Sequence, residues 1–363
     1  MIVCFHLLSD FSGSPKVLKT VIEGLLLRNY EIHLYTSKKG ILNEFDNTEK
    51  LKKYTYRYMF NDTKIITFLS YLLIQMYLFF TSFKYLFEKK CVFYINTLLP
   101  VGPALAGAIM KKKIIYHYHE NADIKGYHYI VLSKIMQRIA TQIICVSNDQ
   151  AEKLGNKNKV IVIPNSTSVE FYDYFNTDKI KKLIEPKTVL MLSSLKKYKG
   201  IIEFTKLANK MQHYDFMLVI NDNKNNIQKF FDRYGITASN NLTIFSQTNN
   251  VIQFYEKASL LLNLTDPNEI IETFGLTAIE AMTAGLPVIV PEVGGIAELV
   301  EDGENGFKTN VHNLGKIMIQ IDYILSSRNI YERFSKNSKK ISQSYSYQSM
   351  IDKIEGVIKF NLI

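Results

Sequence analysis

The sequence predicts an α/β protein in which mostly parallel sheets are wrapped by helices, and three observations predict it. Short apolar runs alternate with helical segments along the whole chain. At 363 residues the chain is too long for one compact core of ordinary size, so two domains are expected. A composition of 47% hydrophobic and 21% charged residues is that of a globular protein and not of a disordered one.

In the first half the expected strands are Ile2 to Leu8, Glu31 to Tyr35, Cys91 to Ile95, Lys113 to Tyr118, Gln142 to Val146 and Val160 to Ile163. No Gly-x-Gly-x-x-Gly follows the first of them, which counts against a dinucleotide-binding dehydrogenase. Met1 to Leu8 also lacks a basic start and a small-residue cleavage site, so it reads as a strand and not as a secretion signal, and a cytosolic protein is expected. Cys4, Cys91 and Cys145 each sit inside an apolar run and behave as small buried hydrophobes. They form no disulfide or zinc pattern, which fits a reducing compartment.

After the first strand, the loop from Asp10 to Lys16 leads into a helix over Lys16 to Arg28, with Pro15 near its first position. Ile65 to Phe83 carries no charge and is flanked by Lys64 and Lys84, so its length approaches that of a membrane span. Its Ser, Thr, Gln and Tyr residues argue against spanning, as does a sheet that a span would split. It reads as a helix packed on the core or as one lying in a membrane interface. The run from Ile114 to Asn121 ends a strand with polar groups at its carboxyl edge, where open α/β sheets bind ligands. Val146-Ser147-Asn148 reads as a helix cap and Ile163-Pro164-Asn165-Ser166 as a turn, beyond which a second domain starts near Val169.

The second half opens with the strand at Thr188 to Leu192 and a loop holding Lys196, Lys197 and Lys199. Further strands fall at Phe216 to Ile220, Leu242 to Phe245 and Leu260 to Leu264, and downstream of Phe307 the pattern is helical. The densest signal lies between Asp266 and Gly306. Pro267 to Thr273 is a loop, Gly275 opens a helix, Gly285 ends it, Pro287 forbids its continuation, and Val288 to Val290 is a buried strand. A helix N-terminus is thereby placed at the carboxyl end of a parallel sheet, where N–H groups and the helix dipole favour a phosphate. Glu272 lies in the loop and Glu280 in the second helical turn, so both carboxylates can accept hydrogen bonds from sugar hydroxyls around a bound diphosphate.

Glu272-Thr273-Phe274-Gly275 with Glu280, then Gly285-Leu286-Pro287, Gly294-Gly295, Glu298 and Asp302-Gly303, resembles the retaining glycosyltransferases of family 4. The resemblance implies the GT-B fold, two Rossmann-like domains facing a central cleft. The N-terminal acceptor domain would be residues 1–168, with a last helix at 347–363 packing back on it, and the nucleotide-sugar domain residues 169–346. It implies a hexosyltransferase acting with retention from a nucleotide-sugar donor to a glycan or lipid-linked acceptor. The setting it suggests is capsule or O-antigen polysaccharide assembly in a bacterium.

The resemblance also assigns residues. Lys199 and the helix start at Gly275, Leu276 and Thr277 would hold the departing diphosphate, with Phe274 beside them. Glu272 would hold sugar hydroxyls and Glu280 the ribose. His119, with Glu120 beside it, would orient the donor sugar, and His117 would be buried or face away. Gly13 is what remains of a glycine-rich loop that approaches the donor diphosphate or the acceptor. The base would sit near Phe245 to Val251. Ser194 stands where relatives carry an arginine, so Lys196 or Lys197 would have to supply the second cation. No Asp-x-Asp stands in a suitable loop, so neither a metal nor another cofactor is expected.

The formal charge of +10 is uneven: 23 Lys and Arg stand against 15 Asp and Glu up to Ile180. A basic half suits nucleic acid or an anionic membrane. No nucleic-acid motif accompanies it, so peripheral contact with the inner face of a membrane is preferred, an ordinary basic surface being the other reading. Ser194 motivates an alternative of another class, a degenerate GT-B protein serving as a membrane-associated partner subunit.

Overall fold

The computed structural model describes residues 1–59, 63–155, 157–176, 187–248 and 250–362. The chain divides into two compact units: residues 1–168 with 348–363, and residues 169–347.

Unit 1 is built on a seven-stranded parallel sheet of β1 (Ile2–Phe5), β2 (Ile32–Ser37), β3 (Leu51–Tyr56), β4 (Val92–Asn96), β5 (Lys113–Tyr118), β6 (Gln142–Cys145) and β7 (Val160–Val162), in the order β3-β2-β1-β4-β5-β6-β7. The order reverses between β1 and β4. Side chains at the carboxyl ends of these strands therefore line the switch point, the usual ligand crevice of such sheets. Helix α1 (Gly13–Leu27) starts three residues earlier than the sequence reading, so Pro15 is its third residue. A proline is tolerated throughout the first turn, where N–H groups have no helical acceptor, so it marks that turn without fixing its first residue.

Helix α2 (Lys64–Ser82) connects β3 to β4, and α3 (Val101–Ile109) packs beside it. The reading of α2 as a packed core helix needs correction. Leu78 is buried, but Ile65, Phe68, Leu69, Leu73, Met76 and Phe80 are all exposed. It does not leave the fold either, because β3 and β4 lie in one sheet. The final helix, Tyr347–Leu362, belongs to unit 1: Arg28 pairs with Asp352 and Glu355, and the Tyr30 hydroxyl donates to Glu355 at 3.1 Å.

Unit 2 has a six-stranded parallel sheet in the order β10-β9-β8-β11-β12-β13. Its strands are β8 (Thr188–Ser193), β9 (Asp215–Ile220), β10 (Leu242–Phe245), β11 (Leu260–Leu262), β12 (Val288–Val290) and β13 (Gly306–Lys308). The run Leu260–Leu262 is continuous in apolar residues because helices cover both faces of a parallel sheet. The same order reversal puts the ends of β8 and β11 side by side, which is where the candidate site lies.

Candidate active site

The site of unit 2 grows out of three loops at the carboxyl edge. The first leaves β8 and makes a single turn at Lys197–Lys199. The second leaves β11 as Asn263-Leu264-Thr265-Asp266, and the Asp266 N–H donates to the Tyr198 carbonyl at 2.7 Å, tying the two together. The third is Val293-Gly294-Gly295. At Gly294 φ is +91°, and an added Cβ would stand 2.6 Å from the Glu272 carbonyl oxygen. The Gly295 N–H donates to that same oxygen at 2.8 Å. Gly294 thus lets one backbone close on another, and the Gly295 N–H fixes the residue that carries the first carboxylate.

Glu272 forms an ion pair with Lys199 and accepts the Thr265 hydroxyl at 2.9 Å. Burial alone would raise its pKa. The Lys199 charge and hydrogen bond, with hydrogen bonds from Thr265 and Asn263, more than offset this, so the carboxyl lies below the usual range and is ionised. The pair remains about one-fifth exposed on each side, so a ligand can reach it.

Gly275, at φ +100°, caps the eight-residue helix Leu276–Thr283, and a Cβ there would meet the Ile296 side chain at 2.5 Å. Gly275, Leu276 and Thr277 are all partly exposed, so the first-turn N–H groups, which have no helical acceptors, are open to an anion. The Phe274 side chain is buried and faces Tyr345, which leaves only its backbone for a ligand. Glu280 accepts the Tyr255 hydroxyl at 2.5 Å, and Tyr255 is fully buried. Burial, then the Glu280 charge and hydrogen bond, push the Tyr255 pKa far up, so it stays a donor.

Ser194 is partly exposed, and its carbonyl accepts from the Ser193 hydroxyl and the Lys196 N–H. Lys196 and Lys197 are exposed on the same turn. Of the expected base-binding stretch Phe245 to Val251, residue 249 lies outside the described residues.

Unit 1 carries a second cluster, at its own switch point. His119 follows β5, Asn96 ends β4, and His6 follows β1. The Asn96 carbonyl oxygen stands 3.0 Å from His119 Nε2 and its amide nitrogen 2.9 Å from His6 Nδ1 and 3.2 Å from the Ser14 carbonyl. One amide therefore joins His119 to the turn at Gly13. His117 is buried on the Tyr94 hydroxyl at 2.7 Å, and its ring lies 4.2 Å from that of His119. Burial, then the charges of His117, His6 and Lys125, hold the His119 pKa far below normal, so the imidazole is neutral. Glu120 does not join it: its carboxylate turns inward to the N–H groups of Leu98 and His119, and burial raises its pKa.

Tyr255, Thr265, Asn96 and His6 were not among the residues expected from sequence. Asn96 and His6 had one available signal, a polar side chain at the carboxyl end of an apolar run. Tyr255 had none, because it reaches Glu280 only through tertiary packing. Among the described residues, no group of three or more His, Cys, Asp and Glu is placed to hold a metal ion.

Residues 175–341 match the model of the family described as glycosyl transferases group 1. The capsular polysaccharide biosynthesis glycosyltransferase CapM of Staphylococcus aureus is 24% identical over 97% of this chain and 96% of its own. Among solved structures, Anabaena HepE in complex with UDP and glucose aligns with a TM-score of 0.76 at 16% identity, covering 99% of each chain. WaaG, a glycosyltransferase involved in lipopolysaccharide biosynthesis, aligns at 0.71 and 15% over 99% of each. Residues 175–341 of unit 2 are thus similar to glycosyl transferases group 1, and the chain is a glycosyltransferase with the GT-B fold.

Proposed function

We propose that this protein transfers a hexose with retention from a nucleoside-diphosphate sugar to a glycan or lipid-linked acceptor, in the assembly of a bacterial surface polysaccharide. The observation that carries the donor class is the grouping, within unit 2, of Lys199, Glu272 and an accessible helix start at Gly275. In this reading the diphosphate takes over Lys199 and the first-turn N–H groups, and Glu272, released from the lysine, accepts hydrogen bonds from the sugar. Glu280, held by Tyr255, accepts from the ribose. The bond from the anomeric carbon to the diphosphate breaks as the acceptor oxygen attacks from the same face, and the acceptor proton passes to the leaving phosphate. Charge building on that phosphate is met by dipoles already in place, an effect of the oxyanion-hole kind. His119, neutral and oriented by Asn96, is assigned to the sugar. Gly13 and Phe274 contribute backbone only.

The UDP held by HepE makes uridine diphosphate the first nucleotide to try, and the name of CapM supports a capsule setting. Transfer is proposed to need no metal and to take place in the cytoplasm. The test is thermal stabilisation of the purified protein by a panel of nucleoside diphosphates and their sugars, with EDTA, beside Glu280→Ala. A ligand at about 100 times its dissociation constant adds roughly 2.7 kcal/mol to the native state. One diphosphate is expected to shift the wild type and not the variant. If none does, the donor assignment falls, and Ser194 favours the partner-subunit reading.

A further inference from the structure

Helix α2 is turned inside out relative to an ordinary surface helix. Its polar side chains point into unit 1: the Ser70 hydroxyl accepts from the Met59 N–H at 3.0 Å, Gln75 accepts from the Gly102 N–H at 2.8 Å, and the Tyr71 hydroxyl donates to the Leu99 carbonyl at 3.0 Å. Its apolar side chains point out, with Ile65 70%, Leu73 66% and Phe80 65% exposed. With Phe68, Leu69 and Met76 they recur at helical spacing along one face about 22 Å long. Leu105 and Ile109 of the adjacent α3 are exposed as well. So large an apolar face on a soluble surface marks a docking site.

Charge identifies the occupant. Residues 64–113 contain seven lysines and a single acidic residue, Glu88. Lys112 donates to the carbonyls of Leu86 and Glu88, which brings the segment Lys111–Lys113 against the one that carries Lys89 and Lys90, between the end of α2 and β4. An apolar, aromatic face followed by the exposed lysines Lys89, Lys90, Lys111 and Lys113 complements an anionic lipid surface. A second copy docked by the same face would bring the same lysines, with Glu88 as the one carboxylate of residues 64–113 to answer them. A spanning orientation conflicts with the parallel sheet, since α2 joins two of its strands.

We propose that the exposed face of α2 docks unit 1 on an anionic bilayer, lying in its interface with the lysines against the headgroups. This goes beyond the transfer reaction and stands without it, because binding is measured with no sugar nucleotide present. The full chain is floated with vesicles of phosphatidylcholine alone, or with about a third phosphatidylglycerol to supply the anionic surface. Two variants are compared, Leu69→Gln/Leu73→Gln/Phe80→Gln and Lys89→Gln/Lys90→Gln/Lys111→Gln. The wild type is expected to float with the anionic vesicles and to be released by salt. The apolar variant should bind more than tenfold more weakly and the lysine variant roughly a hundredfold more weakly, both with unchanged melting temperature.

A wild type that stays in the buffer overturns the proposal. So does an apolar variant that floats as the wild type does, or a wild-type dimer without vesicle binding that the apolar variant splits into monomers, which would assign the face to a second copy. Should the apolar variant fail to fold, the lysine variant decides: undiminished binding rejects the anionic surface and diminished binding supports it.

Discussion

At the scale of single residues the two carboxylates of the nucleotide-sugar unit are held in different ways. Glu272 is shared between a cation and the side chains of Thr265 and Asn263 and can exchange the cation for a ligand, whereas Glu280 accepts from a phenol that is fully buried. Tyr255 therefore acts through Glu280 as a positioning residue. Tyr255→Phe keeps the ring and deletes the phenolic proton that the carboxylate accepts. In steady-state kinetics it should raise the donor KM roughly tenfold and leave kcat within about twofold, since a bond to a charged partner is worth about 1.5–3 kcal/mol and only ground-state positioning is lost. An equal fall in kcat would place Tyr255 in the chemical step instead.

At the scale of elements, legibility followed locality. The helix at Leu276–Thr283 announced itself because Gly275, Gly285 and Pro287 act on their own backbone. The strand β3 went unpredicted because Leu51-Lys52-Lys53-Tyr54-Thr55-Tyr56 sits on the edge of its sheet, where lysines guard an unpaired side and erase the apolar run. The strand β13 is also an edge, only three residues long, and carries little pattern. The contacts of Asn96 with His119 and His6 depend on strand order, which no local pattern encodes. The glycine pair at 294–295 was legible as a motif, but its purpose became visible only with the Glu272 carbonyl beside it. Gly294→Ala puts a side chain at positive φ and against that oxygen, so it should cost roughly 2–4 kcal/mol in denaturant unfolding. It should also shift the loop holding Glu272 enough to abolish stabilisation by a nucleoside diphosphate. A variant with wild-type stability would mean that the loop relaxes freely and that Gly294 fixes nothing.

At the scale of the whole molecule, the buried histidines of unit 1 tie folding to pH. Burial holds His6 down at about 4, with smaller upward effects from Asn96, Asp10 and Leu8, and His117 down at about 3. The pKa values of His119 and His33 are lowered too, each by burial first. A folded pKa below the unfolded value of 6.5 means that the unfolded chain takes up protons that the native one refuses. Stability is therefore intact above about 6.5, falls as pH drops below it, and levels off for each group only below its folded pKa. Glu120, raised by burial, works against this trend, but it is one group and its window opens only above its unfolded 4.5. Glu272, lowered, adds loss only below that same value. Between pH 7.5 and 5.5, His6 and His117 alone should remove roughly 1.4 kcal/mol each, read as a fall in the urea midpoint. His117→Gln, which keeps a hydrogen-bonding side chain beside Tyr94, should shed one histidine's share of that slope whatever its effect on absolute stability. If the slope is unchanged in the variant, native His117 takes up a proton as readily as the unfolded chain does, and the neutral cluster around His119 is wrongly assigned.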